Sequence, residues 1–160
     1  MMKHTTWLKI ASVVAEESKC LSQKVGCVIV KNNRVLSTGY NGTPSKQPNC
    51  CDVNKHLVNN GQFQDWIDED AKHLHHEWSN IHEIHAEMNA LLYSSPQERQ
   101  GATLYTTLQP CYTCSKLIAG SGISRVIYEK SYPRTPPEAI KVLEDAGIIV
   151  NCIYDNGLNK

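Results

Sequence analysis

The sequence lacks the features that mark membrane and secreted proteins. Its 160 residues contain no apolar run that approaches the ~20 residues of a helical membrane span. Residues 1–7 have neither the apolar stretch nor the cleavage site of a signal peptide. We therefore expect an intracellular, cytoplasmic protein that does not associate with membranes.

An excess of charge is also missing, because 16 Lys and Arg residues balance 16 Asp and Glu residues. Proteins that bind long nucleic acids usually carry a basic excess. The neutral balance therefore argues against a nucleic acid polymer as substrate and leaves a single nucleotide open. Internal repeats are absent and the length suits one core, so we expect a single domain over residues 1–160.

Cysteine and histidine, by contrast, are abundant, with seven of each. Thiols stay reduced inside cells, where clustered Cys and His residues indicate a metal site more often than disulfides. The odd number of Cys residues favours the same interpretation.

The first half of the chain predicts a helix, a hairpin and a polar insert. Apolar residues recur at helical spacing over residues 5–18. Strands over 25–31 and 34–40 flank the turn pair Asn32-Asn33. Residues 44–82 form a polar metal-binding insert, in which 63–78 is either helical or part of a loop-rich segment.

The second half predicts an alternating pattern. A helix starts at His85 and is ended by Pro96. Strands and helices then alternate at 104–108, 111–119, 125–129, 137–146 and 148–154. Such a βαβαβ pattern implies parallel pairing, to which the hairpin adds antiparallel pairing. The expected fold is of the α/β class, a three-layer α/β/α sandwich around a mixed five-strand sheet.

The stretch from His85 to Cys114 carries ligands for a metal. Cys111 and Cys114 are three residues apart, so both thiols fall on one face of a helix's first turn, where the helix dipole favours thiolates. His85 begins another helix. Three such ligands leave the fourth position of a Zn²⁺ ion open, as catalytic zinc sites do.

Glu87 follows His85 by two residues and is not needed as a ligand. In hydrolytic deamination of a nucleobase, water attacks the ring carbon that bears the amino group, and a free carboxylate transfers the protons. The alternative is a structural zinc knot with Glu87 on the surface. The joint pattern His-Ala-Glu, spacer, Pro-Cys-x-x-Cys favours the catalytic interpretation.

The sequence resembles the cytidine deaminase superfamily and, within it, the phage-type deoxycytidylate (dCMP) deaminases. The motifs are His85-Ala86-Glu87, Pro110-Cys111-x-x-Cys114, Lys24-Val25-Gly26, Gly39-Tyr40-Asn41-Gly42, Asn49-Cys50-Cys51-Asp52 and the segment around Tyr132. The resemblance implies the cytidine-deaminase-like sandwich and the conversion of dCMP and water to dUMP and ammonia, which supplies dUMP for dTMP synthesis. It also implies the host cytoplasm as location if the source is a phage.

The same resemblance implies roles for individual residues. The catalytic zinc ligands are His85, Cys111 and Cys114, and Glu87 is the proton shuttle. Asn41 matches a residue near the sugar or nucleotide, and Tyr132 matches one at the substrate phosphate. Arg134 either adds charge to that phosphate or is an ordinary loop residue.

A second, structural Zn²⁺ is a further implication of the resemblance. Its matched ligands are Cys20, Cys50, His75 and Glu83. Cys51 or His76 could replace a neighbour, and the alternative without a metal is a buried thiol pair among unrelated histidines. A closed four-ligand site would pin the polar insert to the first helix. For Trp66, packing is preferred over stacking on a base.

The resemblance also implies an allosteric homo-oligomer, such as a hexamer, that is activated by dCTP and inhibited by dTTP with Mg²⁺ beside the nucleotide. The matching effector residues are Lys24, Gly26, Asn41 and Gly42. Backbone amides beside glycine and a nearby ammonium can hold a triphosphate. Taken alone, the same residues are ordinary at a strand start and a turn.

Two other functions remain open. One is a different zinc deaminase of the superfamily, acting on tRNA adenosine, cytidine or guanine. The neutral charge argues against tRNA, and the Asn-Cys-Cys-Asp motif favours dCMP. The other is a zinc-binding interaction module without enzymatic activity, for which Glu87 would be dispensable.

Overall fold

The computed structural model describes residues 1–154, which form a five-stranded sheet with helices on both faces. The strands run in the order β2-β1-β3-β4-β5 across the sheet. Their bounds are Gly26–Lys31, Arg34–Tyr40, Thr103–Leu108, Arg125–Lys130 and Ile149–Cys152, from β1 to β5. β1 pairs antiparallel with β2 and β3, whereas β3, β4 and β5 are parallel. The predicted mixed sheet and α/β class are confirmed.

Seven α-helices accompany the sheet within residues 1–154. Their bounds are His4–Ala15, Cys50–Val53, Glu69–His82, Ala86–Leu92, Pro96–Arg99, Tyr112–Ala119 and Glu138–Asp145, from α1 to α7. Strand alternation sorts the core into two layers. Val28 and Val30 pack in a cluster with α1, while Cys27 and Ile29 pack in a cluster with α4, α6 and α7.

The predicted hairpin turn is present between β1 and β2. Asn32 and Asn33 have φ angles of 51° and 59°, in the left-handed region that Asn tolerates better than most residues. Two consecutive left-handed residues match the twist of the flanking strands. The turn chemistry of the Asn-Asn pair therefore fixes how β2 returns along β1.

The polar insert proves more helical than its composition indicates. Its main element is α3, which begins after Asp68, whose side chain accepts a hydrogen bond from the Ala71 amide at 2.7 Å. The alternative that residues 63–78 are helical was correct in part. The Asp68 cap places the start of the helix at Glu69, and α3 continues to His82. α3 is the longest helix in residues 1–154, and none there is long and apolar enough to cross a membrane.

Pro96 has a different role from the one predicted. Helix α4 already ends at Leu92, and Pro96 begins the short helix α5. Ser95 and Glu98 form a reciprocal capping box around that start. Proline suits the first turn because an amide there needs no partner within the helix. The helix after His85 thus ends before Ser95, as predicted, but the prediction that Pro96 ends it was wrong.

Gly26 lets α1 lie directly on β1. A Cβ at this position would sit 1.9 Å from the Ala11 carbonyl oxygen and 2.7 Å from the Ala15 amide nitrogen. Because both are backbone atoms of α1, we expect Gly26→Ala to lower the free energy of unfolding by about 3 kcal/mol. The melting temperature should fall by roughly 6–12 °C.

Gly120→Ala is the matched control for that measurement. A Cβ at Gly120 would meet its nearest neighbour, the Lys116 carbonyl oxygen, at an ordinary 3.8 Å. A melting temperature of Gly26→Ala equal to that of Gly120→Ala would contradict close packing of α1 on β1.

Candidate metal-binding active site

The first ligand group consists of His85, Cys111 and Cys114, whose ligand atoms all lie within 4.8 Å of one another. His85 is the N-cap of α4, and Cys111 is the N-cap of α6, which follows β3. The Nδ1 atom of His85 lies 3.4 Å from the Cys111 sulfur and 3.3 Å from the Cys114 sulfur. The structure thus brings together the three side chains that were predicted to hold the catalytic zinc.

The two thiols of this group are electrostatically unequal. The hydrogen bond with Cys114, followed by that with His85, lowers the pKa of the Cys111 thiol to about 4. The same Cys111–Cys114 contact and burial raise the pKa of Cys114. A thiolate, a second thiol and an imidazole nitrogen at one point form a donor set that suits Zn²⁺, which deprotonates coordinating thiols.

Glu87 lies beside this group without belonging to it. Its side chain is only 4% exposed, and its Oε2 accepts a hydrogen bond from the Cys114 thiol at 3.4 Å. Burial raises the pKa of the Glu87 carboxyl, and the nearby His85 partly offsets that rise. A buried carboxyl with a raised pKa, adjacent to three ligands, is suited to accept and return a proton. The surface position of Glu87 that a zinc knot would entail is not observed.

The second ligand group consists of Cys20, Cys50, His75 and Glu83, again with ligand atoms within 4.8 Å of one another. The Nε2 atom of His75 lies 3.1 Å from the Cys50 sulfur and 3.7 Å from the Cys20 sulfur. All four side chains are buried. The group joins the segment after α1 to α2 and α3, as expected for a site that pins the insert.

Glu83 provides a test of whether a metal fits this second group. Its Oε2 accepts a hydrogen bond from the Ser79 hydroxyl at 2.6 Å, whereas its Oε1 is buried and has no hydrogen-bond partner within residues 1–154. A buried carboxylate oxygen without a partner is costly unless a cation compensates it. The orphaned oxygen beside two thiols and an imidazole therefore fits a four-ligand zinc site.

The neighbours that were considered as replacement ligands lie outside this group. Cys51 is half-buried and His76 is exposed on α3. Trp66 packs on the group, with its ring centroid 4.9 Å from that of His75. Packing, the preferred role for Trp66, is the role observed.

Asn41 directly follows β2 and is only 9% exposed. Its side-chain oxygen accepts a hydrogen bond from the Val25 amide, and its side-chain nitrogen donates to the Gln23 carbonyl, both at 2.8 Å. One N–H and one lone pair remain for a ligand. Asn41 thus fixes the loop before β1, and its predicted contacts with substrate and effector stay predictions.

Gly42 pairs with Ile84, the residue between the two ligand groups. The Gly42 amide donates to the Ile84 carbonyl at 3.1 Å, and the Ile84 amide donates back at 2.8 Å. This isolated pair holds Glu83 and His85 on opposite sides of one extended residue.

The predicted effector residues do not all have the same surroundings. Lys24 is exposed, with its Nζ 5.6 Å from the centroid of the Phe63 ring, an aromatic neighbour that the sequence did not reveal. Gly26 faces α1, so its lack of a side chain has a packing cause. At Gly42, a Cβ would meet nothing within 4 Å in the described part of the chain.

The loop that carries Tyr132 is tied to the approach to Cys111. The Tyr132 amide donates to the Gln109 side-chain oxygen at 3.3 Å, and the Gln109 amide donates to the Lys130 carbonyl at 2.8 Å. Tyr132 is half-buried, and Arg134 is exposed. Gln109 was missed from the sequence, although its place two residues before Cys111 was a usable sign.

Comparison with known proteins agrees with this geometry. Residues 1–130 match the family model of the cytidine and deoxycytidylate deaminase zinc-binding region. The chain is 40% identical over 181 aligned positions to the deoxycytidylate deaminase of Enterobacteria phage T4, covering 99% of this chain and 94% of that protein. It is 43% identical over 145 positions to the deoxycytidylate deaminase of Saccharomyces cerevisiae, covering 90% of this chain and 42% of that protein.

A solved structure is similar over the same extent. The dCMP deaminase of the cyanophage S-TIM5 in complex with dCMP and dUMP is 31% identical, with a TM-score of 0.68. The match covers 95% of this chain and 99% of that one. The Cys and His ligands accordingly suit zinc. The chain belongs to the zinc-binding cytidine and deoxycytidylate deaminase family.

Proposed function

We infer that this chain hydrolyses dCMP to dUMP and ammonia. The observation that carries this inference is a group of three metal ligands with a buried carboxylate, Glu87, beside it. Relatives named deoxycytidylate deaminase support the same substrate, as does the similar structure of a dCMP deaminase in complex with dCMP and dUMP. The reaction removes an amino group from a cytosine nucleotide and supplies dUMP, the precursor that a later methylation converts to dTMP.

His85, Cys111 and Cys114 would hold the catalytic zinc. When bound, zinc lowers the pKa of water to roughly 7 and so supplies a nucleophile at neutral pH. The chain orients the three ligands through the starts of α4 and α6. The buried setting of Glu87 keeps bulk water away from its carboxyl.

Glu87 moves two protons in this scheme. It first takes a proton from the attacking water and gives it to the ring nitrogen next to the carbon that is attacked. It then takes the proton of the new hydroxyl and gives it to the amino group, which leaves as ammonia while the carbon becomes a carbonyl. The raised pKa of the Glu87 carboxyl suits it to both the base and the acid half of the cycle.

We also propose that Tyr132 recognises the 5′-phosphate, because its loop is hydrogen-bonded to Gln109, two residues before Cys111. A hydrogen bond to a charged group contributes about 1.5–3 kcal/mol, so we expect Tyr132→Phe to raise the KM for dCMP about 10- to 100-fold. Deoxycytidine lacks the phosphate and should be turned over equally by both proteins. Steady-state kinetics with the two substrates measure this difference, and an unchanged KM for dCMP would exclude Tyr132 as the phosphate ligand.

We propose a second, structural zinc held by Cys20, Cys50, His75 and Glu83. The support is the burial of all four side chains and the partnerless Oε1 of Glu83. A closed set of four ligands stabilises a fold rather than binding a substrate.

We also propose that dCTP activates the enzyme and dTTP inhibits it, with Mg²⁺ bound beside the nucleotide. Lys24, Gly26, Asn41 and Gly42 form the candidate effector region. The exposed ammonium of Lys24 and the open space at Gly42 support a triphosphate there, whereas Gly26 and Asn41 would act through the backbone they hold. A homo-oligomer, such as a hexamer, and a cytoplasmic location complete the proposal.

One assay tests these proposals together. Protein of measured zinc content is given dCMP, cytidine, guanine and tRNA, and dCMP turnover is repeated with dCTP or dTTP in the presence of Mg²⁺. We expect dCMP to be the preferred substrate and the two nucleotides to act in opposite directions. Activity restricted to the other substrates would refute the dCMP assignment, and indifference to both nucleotides would refute regulation.

A further inference from the structure

We propose that Ser79 is a positioning residue for the second zinc, because its hydroxyl holds one oxygen of Glu83 so that the other faces the metal. This inference rests on the structural zinc site proposed above. It extends that site beyond its four ligands to a side chain on α3 that contacts the metal only through Glu83.

The two oxygens of Glu83 have contrasting environments. The Ser79 hydroxyl donates to Oε2 at 2.6 Å, and the Glu83 amide donates to the Ser79 carbonyl at 2.9 Å, one helical turn back. Oε1 is buried without a hydrogen-bond partner in the described residues. With Oε2 held in place, the torsion of the carboxyl group is fixed and Oε1 is left as the one ligand atom.

The electrostatic surroundings of Glu83 favour a bound cation next to it. They argue against a Ser79–Glu83 pair that only stabilises the end of α3. Glu83 is the C-cap of α3, and a helix C-terminus disfavours negative charge. It also lies beside the buried thiols of Cys20 and Cys50, within 4.8 Å of their sulfur atoms. A buried carboxylate among such neighbours is stabilised when a divalent cation sits at their centre.

Partners that orient a metal ligand contribute to the affinity of the site. Removing such a partner typically weakens metal binding about 10- to 100-fold, since the ligand must then be ordered by the metal alone. We therefore expect Ser79→Ala to weaken zinc binding at the second site by that factor. The first ligand group should keep its affinity, because it lies beyond Ile84 and is held by other helices.

The experiment compares the wild type with Ser79→Ala, Ser79→Thr and Ser12→Ala. Ser79→Thr keeps the hydroxyl on a half-buried position. Ser12→Ala removes an exposed serine of α1 whose hydroxyl donates to the Glu129 carboxylate at 3.5 Å, and neither residue belongs to a ligand group. Zinc affinity is measured by competition with a chromophoric chelator. Cobalt replaces zinc in parallel samples, and its visible absorption reports the geometry of the ligands.

We expect the wild-type chain to bind two zinc ions. In Ser79→Ala, one of the two should bind more weakly and the cobalt spectrum should change. Ser79→Thr and Ser12→Ala should behave like the wild type. Equal zinc affinity in Ser79→Ala and Ser12→Ala would overturn the role of Ser79, even if the melting temperature changed. A single zinc in the wild type would overturn the second site and the role of Ser79 with it. Failure of dCMP turnover with these zinc results intact would refute the proposed reaction alone.

Discussion

Glu87→Gln should abolish most of the deamination activity while leaving the protein folded and loaded with zinc. The amide has nearly the shape of the carboxyl but cannot take a proton from water and return it. General acid–base catalysis contributes about 10²- to 10⁴-fold, and Glu87 acts at both ends of the proposed cycle, so we expect kcat to fall by about 10³-fold or more. Steady-state kinetics with dCMP measure the loss.

The neutral amide should not destabilise the protein, because Glu87 is buried and its pKa is raised. Glu77→Gln is the matched control, since Glu77 lies on the exposed side of α3 and its one ion pair within residues 1–154 is with His73, at 3.3 Å. Its kcat should stay at the wild-type value. Retention of a tenth or more of the wild-type kcat by zinc-loaded Glu87→Gln would contradict the role assigned to Glu87.

Cys50→Ser should remove one zinc per chain and lower stability. A hydroxyl replaces the thiolate with little change in volume but is a poor zinc ligand. A metal present at about 1,000 times its dissociation constant contributes about 4 kcal/mol to folding, so its loss should lower the melting temperature by roughly 8–16 °C. Elemental analysis of the purified protein and thermal unfolding provide the two readouts.

Cys51→Ser separates the two adjacent thiols in the same assays. Cys51 lies outside the second ligand group and is only half-buried, so its variant should keep both zinc ions and the wild-type melting temperature. Loss of zinc from Cys51→Ser instead of Cys50→Ser would show that the ligand was assigned one residue away. The same comparison between His75→Ala and His76→Ala tests the imidazole ligand.

The sheet was predictable from the sequence because its signals are local. The Asn32-Asn33 turn and the alternation of strands with helices after residue 101 indicate the mixed order that is observed. Pro96 shows the limit of such signals, since proline both ends and begins helices. The capping box of Ser95 and Glu98, not the proline itself, determines which of the two occurs.

The two ligand groups were predicted by motif, but their geometry could not be. Cys20 and His75 are 55 positions apart, and their 3.7 Å contact depends on how α3 packs on the segment after α1. Gly26 was assigned to an effector site, and its contact with the α1 backbone depends on tertiary packing that no local pattern records. The role of Ser79 could likewise not be predicted from the sequence, because it depends on the buried Glu83 oxygen that has no hydrogen-bond partner in the described residues.

The Gly42–Ile84 pair has a consequence for how chains of this kind can change in length. With a single extended residue between Glu83 and His85, an insertion or deletion there would pull one ligand out of its site. The stretch 59–64, by contrast, is exposed at every position. The alignment with the phage T4 protein spans 181 positions, more than the 160 residues of this chain, so that relative carries additional residues. We therefore expect relatives of this chain to differ in length between Cys50 and His75, and to keep the same spacing between Glu83 and His85.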